Sequence, residues 1–156
     1  MDVPKILKRE LLILLGLFVI AVILLGFGSL SSGMINLKFI YAYLGTTYLN
    51  IFWAILLWLI YFTYLYRQII SGFNLLLPNM ILLIACIFLT AMISYNIWQL
   101  GIGRVIYSPL NFNPEDYKYL EALVSEKQSV LSIVRLLIIL TMIITGILSI
   151  KKSKTV

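Results

Sequence analysis

The chain has 156 residues, 62% of them hydrophobic and only 12% charged, with a mean hydropathy of +1.05. A soluble core of this length could not hide so much apolar surface; disorder is excluded by the same composition, and a disulfide scaffold, a CxxC redox pair or a thiolate metal cage by a single cysteine, Cys86. The formal charge of +6 reads as a topology signal and as affinity for anionic lipid head groups, with no basic cluster of the kind that grips nucleic acid.

Crossing the hydrocarbon takes about 20 mostly apolar residues at about 1.5 Å rise each. Four segments qualify: residues 11–30, 48–66, 76–100 and 128–150. Their apolar runs are continuous, whereas barrel strands would alternate. The expected fold is therefore an all-α integral membrane protein, a single membrane domain over 1–156, with four transmembrane helices in an antiparallel bundle.

The first segment follows Lys5, Lys8 and Arg9 and ends near Ser29-Leu30-Ser31, which resembles a signal-peptide cleavage site. Its apolar stretch, 11–27, is longer than the usual 7–15-residue signal core, so an uncleaved anchor is expected. In the loop that follows, 31–47, Ile35, Leu37, Phe39, Tyr41 and Tyr43 alternate as in a strand. A lone strand beside lipid would leave its backbone unpaired, which favours an interfacial helix or an outward extension of the second span, with Gly45 as the break.

The second span has aromatics at both ends, Tyr48, Phe52 and Trp53 against Tyr61, Tyr64 and Tyr66, in the manner of an interfacial belt. Pro78 and Asn79 stand near the start of the third, where a missing amide is harmless, and Gly101 and Gly103 are expected to close it. In the loop 101–127, Asn113 suits an N-cap, Pro114 the first helical position, and Glu115 and Asp116 the positive end of a helix dipole. Tyr117, Leu120, Leu123 and Val124 then recur at helical spacing, predicting an amphipathic outer helix that leads into the fourth span with no intervening glycine or proline. Glu115 and Asp116 would point about 100° apart, which suits helix starting and not a converging catalytic pair.

Lysine and arginine placement sets the direction. Lys5, Lys8, Arg9, Arg67 (in the second loop), Lys151, Lys152 and Lys154 lie on one side, against Lys38, Arg104, Lys118 and Lys127 mixed with acids on the other. Both termini are expected in the cytoplasm and the protein in the inner or plasma membrane.

Arg135 stands seven residues into the fourth span, where an arginine costs roughly 2.5–3.5 kcal/mol on insertion scales unless it snorkels or finds an anion. Asn50, Ser94, Tyr95 and Asn96 fall at comparable depth and complete a candidate polar site for an anion, a lipid head group or a partner's acid. Two stripes at four-residue spacing, Cys86, Thr90 and Ser94 and then Thr141, Thr145 and Ser149, suit close helix packing.

No acidic residue falls in the four segments, which argues against proton- or cation-coupled transport, and no two similar halves suggest an inverted-repeat carrier. Histidine is absent, and there is no phosphate loop, nucleophile elbow or metal motif, so neither a cofactor nor catalysis is expected. The sequence thus points to a non-catalytic accessory, regulatory or protective subunit whose partners are anionic lipid and another membrane protein or a second copy. The alternative is a small carrier, or a lipid-binding or lipid-modifying protein, using the anion site at Arg135.

Overall fold

The computed structural model describes residues 3–25, 34–39, 42–106 and 114–153. Four helices carry the fold in these residues: α1 (Val3–Leu25), α2 (Tyr48–Ser71), α3 (Leu76–Ile106) and α4 (Pro114–Ser153). Three of them contain segments long and apolar enough to cross a membrane, at Ile51–Ser71, Leu76–Gly101 and Glu121–Lys151. Side chains there supply no alternative partner for the backbone, and only a helix satisfies every amide within its own segment. The apolar part of α1 runs from Leu11 to Leu25, and residues 26–30 of the expected first span lie outside the described residues.

Between α1 and α2 stands an antiparallel hairpin of β1 (Met34–Phe39) and β2 (Ala42–Thr47), in register from Met34 opposite Thr47 to Phe39 opposite Ala42. This corrects the helix expected over 31–47. The alternation there is a true strand signal, and the objection to a lone strand fails because the second strand pairs with the first. Gly45 accordingly lies inside β2, opposite Asn36, and the change to helix falls between Thr47 and Tyr48.

Two helix ends also differ from expectation. Gly101 and Gly103 do not stop α3, which continues to Ile106; an interior glycine costs about 1 kcal/mol relative to alanine and does not break a helix by itself. Likewise α2 continues to Ser71, so Arg67 belongs to a helix and not to a loop. The helix expected to lead into the fourth span is continuous with it, since α4 runs unbroken for 40 residues.

The chain forms two compact units, Met1–Ala85 and Cys86–Val156. In the first, α1 and α2 pack antiparallel: Glu10 near the start of α1 meets Arg67 near the end of α2, and Phe18 meets Phe52 edge-on with ring centroids 5.4 Å apart. Glu10, Leu17 and Ala21 are spaced by seven and four residues, one face of a helix, and all three are buried. On α2 the buried positions are Phe52, Leu56, Tyr61, Tyr64 and Gln68.

The α2–α3 turn follows from two residues with left-handed backbone. Gly72 (φ 61°) donates to the Ile69 carbonyl at 3.4 Å and Phe73 (φ 63°) to the Gln68 carbonyl at 3.0 Å, the paired bonds of a Schellman motif with glycine at its left-handed position. Two buried amides tie the turn down: Asn79 Nδ2 donates to the Phe73 carbonyl at 3.1 Å, and Gln68 Nε2 to the Leu75 carbonyl at 3.5 Å. Pro78 lies in the first turn of α3, where its missing donor costs nothing. In the second unit α3 and α4 are antiparallel, with Gln128 Nε2 donating to the Ile97 carbonyl at 3.3 Å and Arg135 meeting Ser94 lower down.

Candidate functional site

Two arginines lie within segments able to span a membrane, and the protein treats them in opposite ways. Arg67 is neutralised internally. Its Nη1 and Nη2 donate to the two carboxylate oxygens of Glu10 at 2.5 and 2.7 Å, and Tyr64 Oη donates to Glu10 Oε2 at 2.9 Å. Tyr64 and Arg67 are three residues apart on α2, so they share one face, and the guanidinium carbon sits 5.2 Å from the Tyr64 ring centroid. Glu10 is only 3% exposed and the Arg67 side chain 17%. The guanidinium's hydrogen bonds hold the Glu10 carboxyl below the usual carboxylate range; burial works in the opposite direction, and the Tyr64 hydroxyl adds to the lowering. These three bonds join α1 to α2, so the cluster acts as a clasp between the two helices.

Arg135 is the reverse case. Its Nη1 donates to Ser94 Oγ at 3.4 Å, a long bond to a neutral partner, and no carboxylate pairs with it among the described residues. Of the other residues placed at this depth by sequence, Ser94 alone meets the guanidinium. Tyr95 is exposed and its hydroxyl accepts from Gln99 Nε2 at 2.6 Å, while its ring leans on Trp98 at 5.8 Å. Asn96 is exposed on α3, and the side chain of Asn50, in the first turn of α2, lies outside the described ones.

One helical turn from Arg135 toward the start of α4 is a shallow groove of about 480 Å³, lined by Ile97 of α3 and by Ser125, Gln128, Ser129, Ser132 and Ile133 of α4. Four of its six lining side chains are neutral and polar, although they stand on a segment apolar enough to span. Among the described residues no group of histidine, cysteine, aspartate or glutamate is placed to hold a metal ion.

The small-residue stripes are placed as follows. Cys86 is fully buried, Thr90 turns a buried hydroxyl inward with no protein partner, and Ser94 meets Arg135. On α4, Thr141 donates to the Leu137 carbonyl and Ser149 to that of Thr145, whose own buried hydroxyl has no protein partner.

Sequence reasoning missed both the Glu10–Arg67–Tyr64 clasp and the groove. Glu10 stands beside Lys8 and Arg9 and reads as part of a charged tail. The available signal is its place one residue before an apolar run, with an equally isolated arginine at the far end of the next one. Gln128, Ser129 and Ser132 fall where the expected fourth segment begins, and the available signal is their spacing from Ser125 by three, four and seven residues, one face of a continuous helix. No family model, no curated protein and no solved structure matches this chain.

Proposed function

We propose that this chain is a non-catalytic, multi-pass protein of the inner or plasma membrane that binds the anionic head group of a membrane lipid at Arg135. The observation that carries the reading is the contrast between the two arginines. Arg67 has a carboxylate gripping both ends of its guanidinium, whereas Arg135 has one long bond to a serine hydroxyl. An intramembrane cation is costly without a counter-charge, and the lipid phosphate is the anion always at hand.

The proposed topology has four spans in an antiparallel bundle, α1 included, with an amphipathic outer stretch of α4 before its span and both termini in the cytoplasm. The Glu10–Arg67 clasp supports it, because it sets the start of α1 beside the end of α2 and so gathers Lys5, Lys8, Arg9 and Arg67 at one level. Arg135 then belongs to the outer leaflet.

A second reading keeps the chain as an accessory, regulatory or protective subunit of another membrane protein, whose acidic residue meets Arg135. Ser125 and Ser129 favour it, being small, exposed and one turn apart, the kind of surface that lets another helix approach closely.

The test is native mass spectrometry of wild type and Arg135→Gln purified in a mild detergent. Retained anionic lipid in the wild type, lost in a variant that still inserts, supports the first reading. A stoichiometric protein partner, lost in the same variant with lipid retention unchanged, replaces it with the second.

A further inference from the structure

The groove beside Arg135 narrows the ligand to one class of lipid. We infer that the site takes an anionic phospholipid whose head group is a polyol, with its phosphate on Arg135 and its free hydroxyls on the amide and hydroxyls of Gln128, Ser129 and Ser132. The inference rests on the Arg135 reading above and adds the chemistry of the head group to it.

The placement is an ordered ladder. Ser94 and Arg135 form the lower rung, joined through Ser94 Oγ. Ile97 and Ser132 stand three residues further along α3 and back along α4, a rise of about 4.5 Å, and line the groove together with Ser129, Gln128 and Ser125. That rise puts Ser132 at about the separation between a phosphate and the outer hydroxyl of a glycerol attached to it, while Ser129 and Gln128 stand about 9 and 10.5 Å back along α4, at the far end of such a head group. The order is also right: in the proposed topology the groove lies on the water side of Arg135, as a head group lies on the water side of its phosphate. Tyr95 and Trp98, exposed on α3 at the same level, are the aromatic types that sit at head-group depth.

The groove's polar lining also matches the ligand's needs. The Ser132 hydroxyl can donate and accept, the Ser129 hydroxyl accepts while its proton goes to the Ser125 carbonyl at 2.9 Å, and the Gln128 amide carbonyl accepts while its nitrogen gives one of its two hydrogens to the Ile97 carbonyl. A polyol, whose hydroxyls likewise donate and accept, can satisfy them pairwise. Ile97 and Ile133 at the groove's flanks offer apolar contact to the carbon skeleton.

The experiment uses the whole protein in nanodiscs or mild detergent, offered phosphatidylglycerol, phosphatidic acid and phosphatidylcholine, and read by native mass spectrometry. Wild type is expected to retain phosphatidylglycerol over phosphatidic acid, and both over phosphatidylcholine. Ser129→Ala/Ser132→Ala should cut the preference for phosphatidylglycerol over phosphatidic acid about fivefold, the worth of roughly one neutral hydrogen bond, while leaving both ahead of phosphatidylcholine. Arg135→Gln should remove the anionic preference altogether. An unchanged glycerol preference in the serine variant overturns the polyol assignment and leaves the Arg135 reading standing. An unchanged anionic preference in Arg135→Gln overturns both. A final arm adds soluble glycerol 3-phosphate: failure to displace the lipid fits a ligand held also by its chains, and full displacement at equal concentration overturns the lipid in favour of a free phosphate ester.

Discussion

Arg67 holds Glu10 by both terminal nitrogens of its guanidinium, across 57 residues of sequence and at the open ends of two antiparallel helices. Such a bidentate pair fixes both the distance and the rotation of the helices that carry it. Breaking a buried pair by removing one partner is costly because the survivor is left charged and unmatched. Arg67→Met or Glu10→Gln is therefore expected to destabilise the protein by about 3 kcal/mol, the low end for buried pairs because the guanidinium is partly exposed. The double variant should lose less than the sum of the two. Thermal melts in detergent, arranged as a double-mutant cycle, check this; strict additivity would mean the two groups are not coupled.

The same pair sets a pH dependence. The folded-state pKa of Glu10 lies below its ordinary value of 4.5, so the unfolded chain takes up the proton first as the medium is acidified. The clasp's contribution is fully present above pH 4.5 and disappears as pH falls through the lowered folded value. Wild type should exceed Glu10→Gln in melting temperature by a constant margin from pH 8 down to about 5, and the margin should close below that. A margin that instead widens on acidification would assign the opposite sign to the shift.

The helices were legible in the sequence because one term, the continuous apolar run, decides them at every position between 76 and 100 or 128 and 150. Their ends were harder. Gly101 reads as a stop only if nothing else holds the helix together, and a glycine penalty of about 1 kcal/mol is small against several further turns of backbone bonds. The alternation over 34–47 is a strand signal in the sequence, but it does not name the partner strand, which pairing between two short segments supplies. For Arg135 the sequence carries the position along the helix but not the partner: Ser94, Tyr95 and Asn96 fall at similar positions, and of these Ser94 meets the guanidinium while Tyr95 and Asn96 are exposed. Depth along a helix is additive in residue number, whereas the direction a side chain faces depends on how two helices are rotated about their axes. Local pattern does not contain that rotation.

The α2–α3 turn rests on Gly72, whose φ of 61° a residue with a Cβ adopts only at a cost of about 1–2 kcal/mol. Gly72→Ala should lower stability by roughly that amount. Asn79→Ala, which releases the Phe73 carbonyl, should cost about 1 kcal/mol, the net worth of one hydrogen bond, because the Asn79 carbonyl oxygen has no protein partner to lose. Chemical or thermal denaturation of both variants tests the pair of values, and a neutral Gly72→Ala would show that the turn is free to take another form.

The Thr145 hydroxyl is fully buried without a protein partner, an arrangement that costs free energy in the folded state. Thr145→Val replaces it by a methyl of similar volume and should be neutral or stabilising by up to about 1 kcal/mol. Thr141→Val removes a bond actually made, to the Leu137 carbonyl at 3.0 Å, and should not stabilise. Melting temperatures of the two variants in one detergent decide it, with destabilisation by Thr145→Val marking that hydroxyl as bonded to something outside the chain.

The proposed topology makes a claim that chemistry at three exposed lysines can check. Lys8 precedes the apolar part of α1, Lys151 follows that of α4, and Lys118 lies on the far side of the Glu121–Lys151 segment. In a Cys86→Ala background, Lys8→Cys and Lys151→Cys should react with a membrane-impermeant maleimide only after the cytoplasmic face is opened, and Lys118→Cys in intact cells. Cys86 itself is fully buried, so the unsubstituted protein should stay unlabelled and supply the blank. Three crossings instead of four would separate the first pair: Lys8→Cys and Lys151→Cys would then label from opposite faces, and α1 would lie along the membrane with its apolar side down. The clasp weighs against that arrangement, because Glu10 and Phe18 follow α2 from Arg67 to Phe52, along most of the length of a segment long enough to cross.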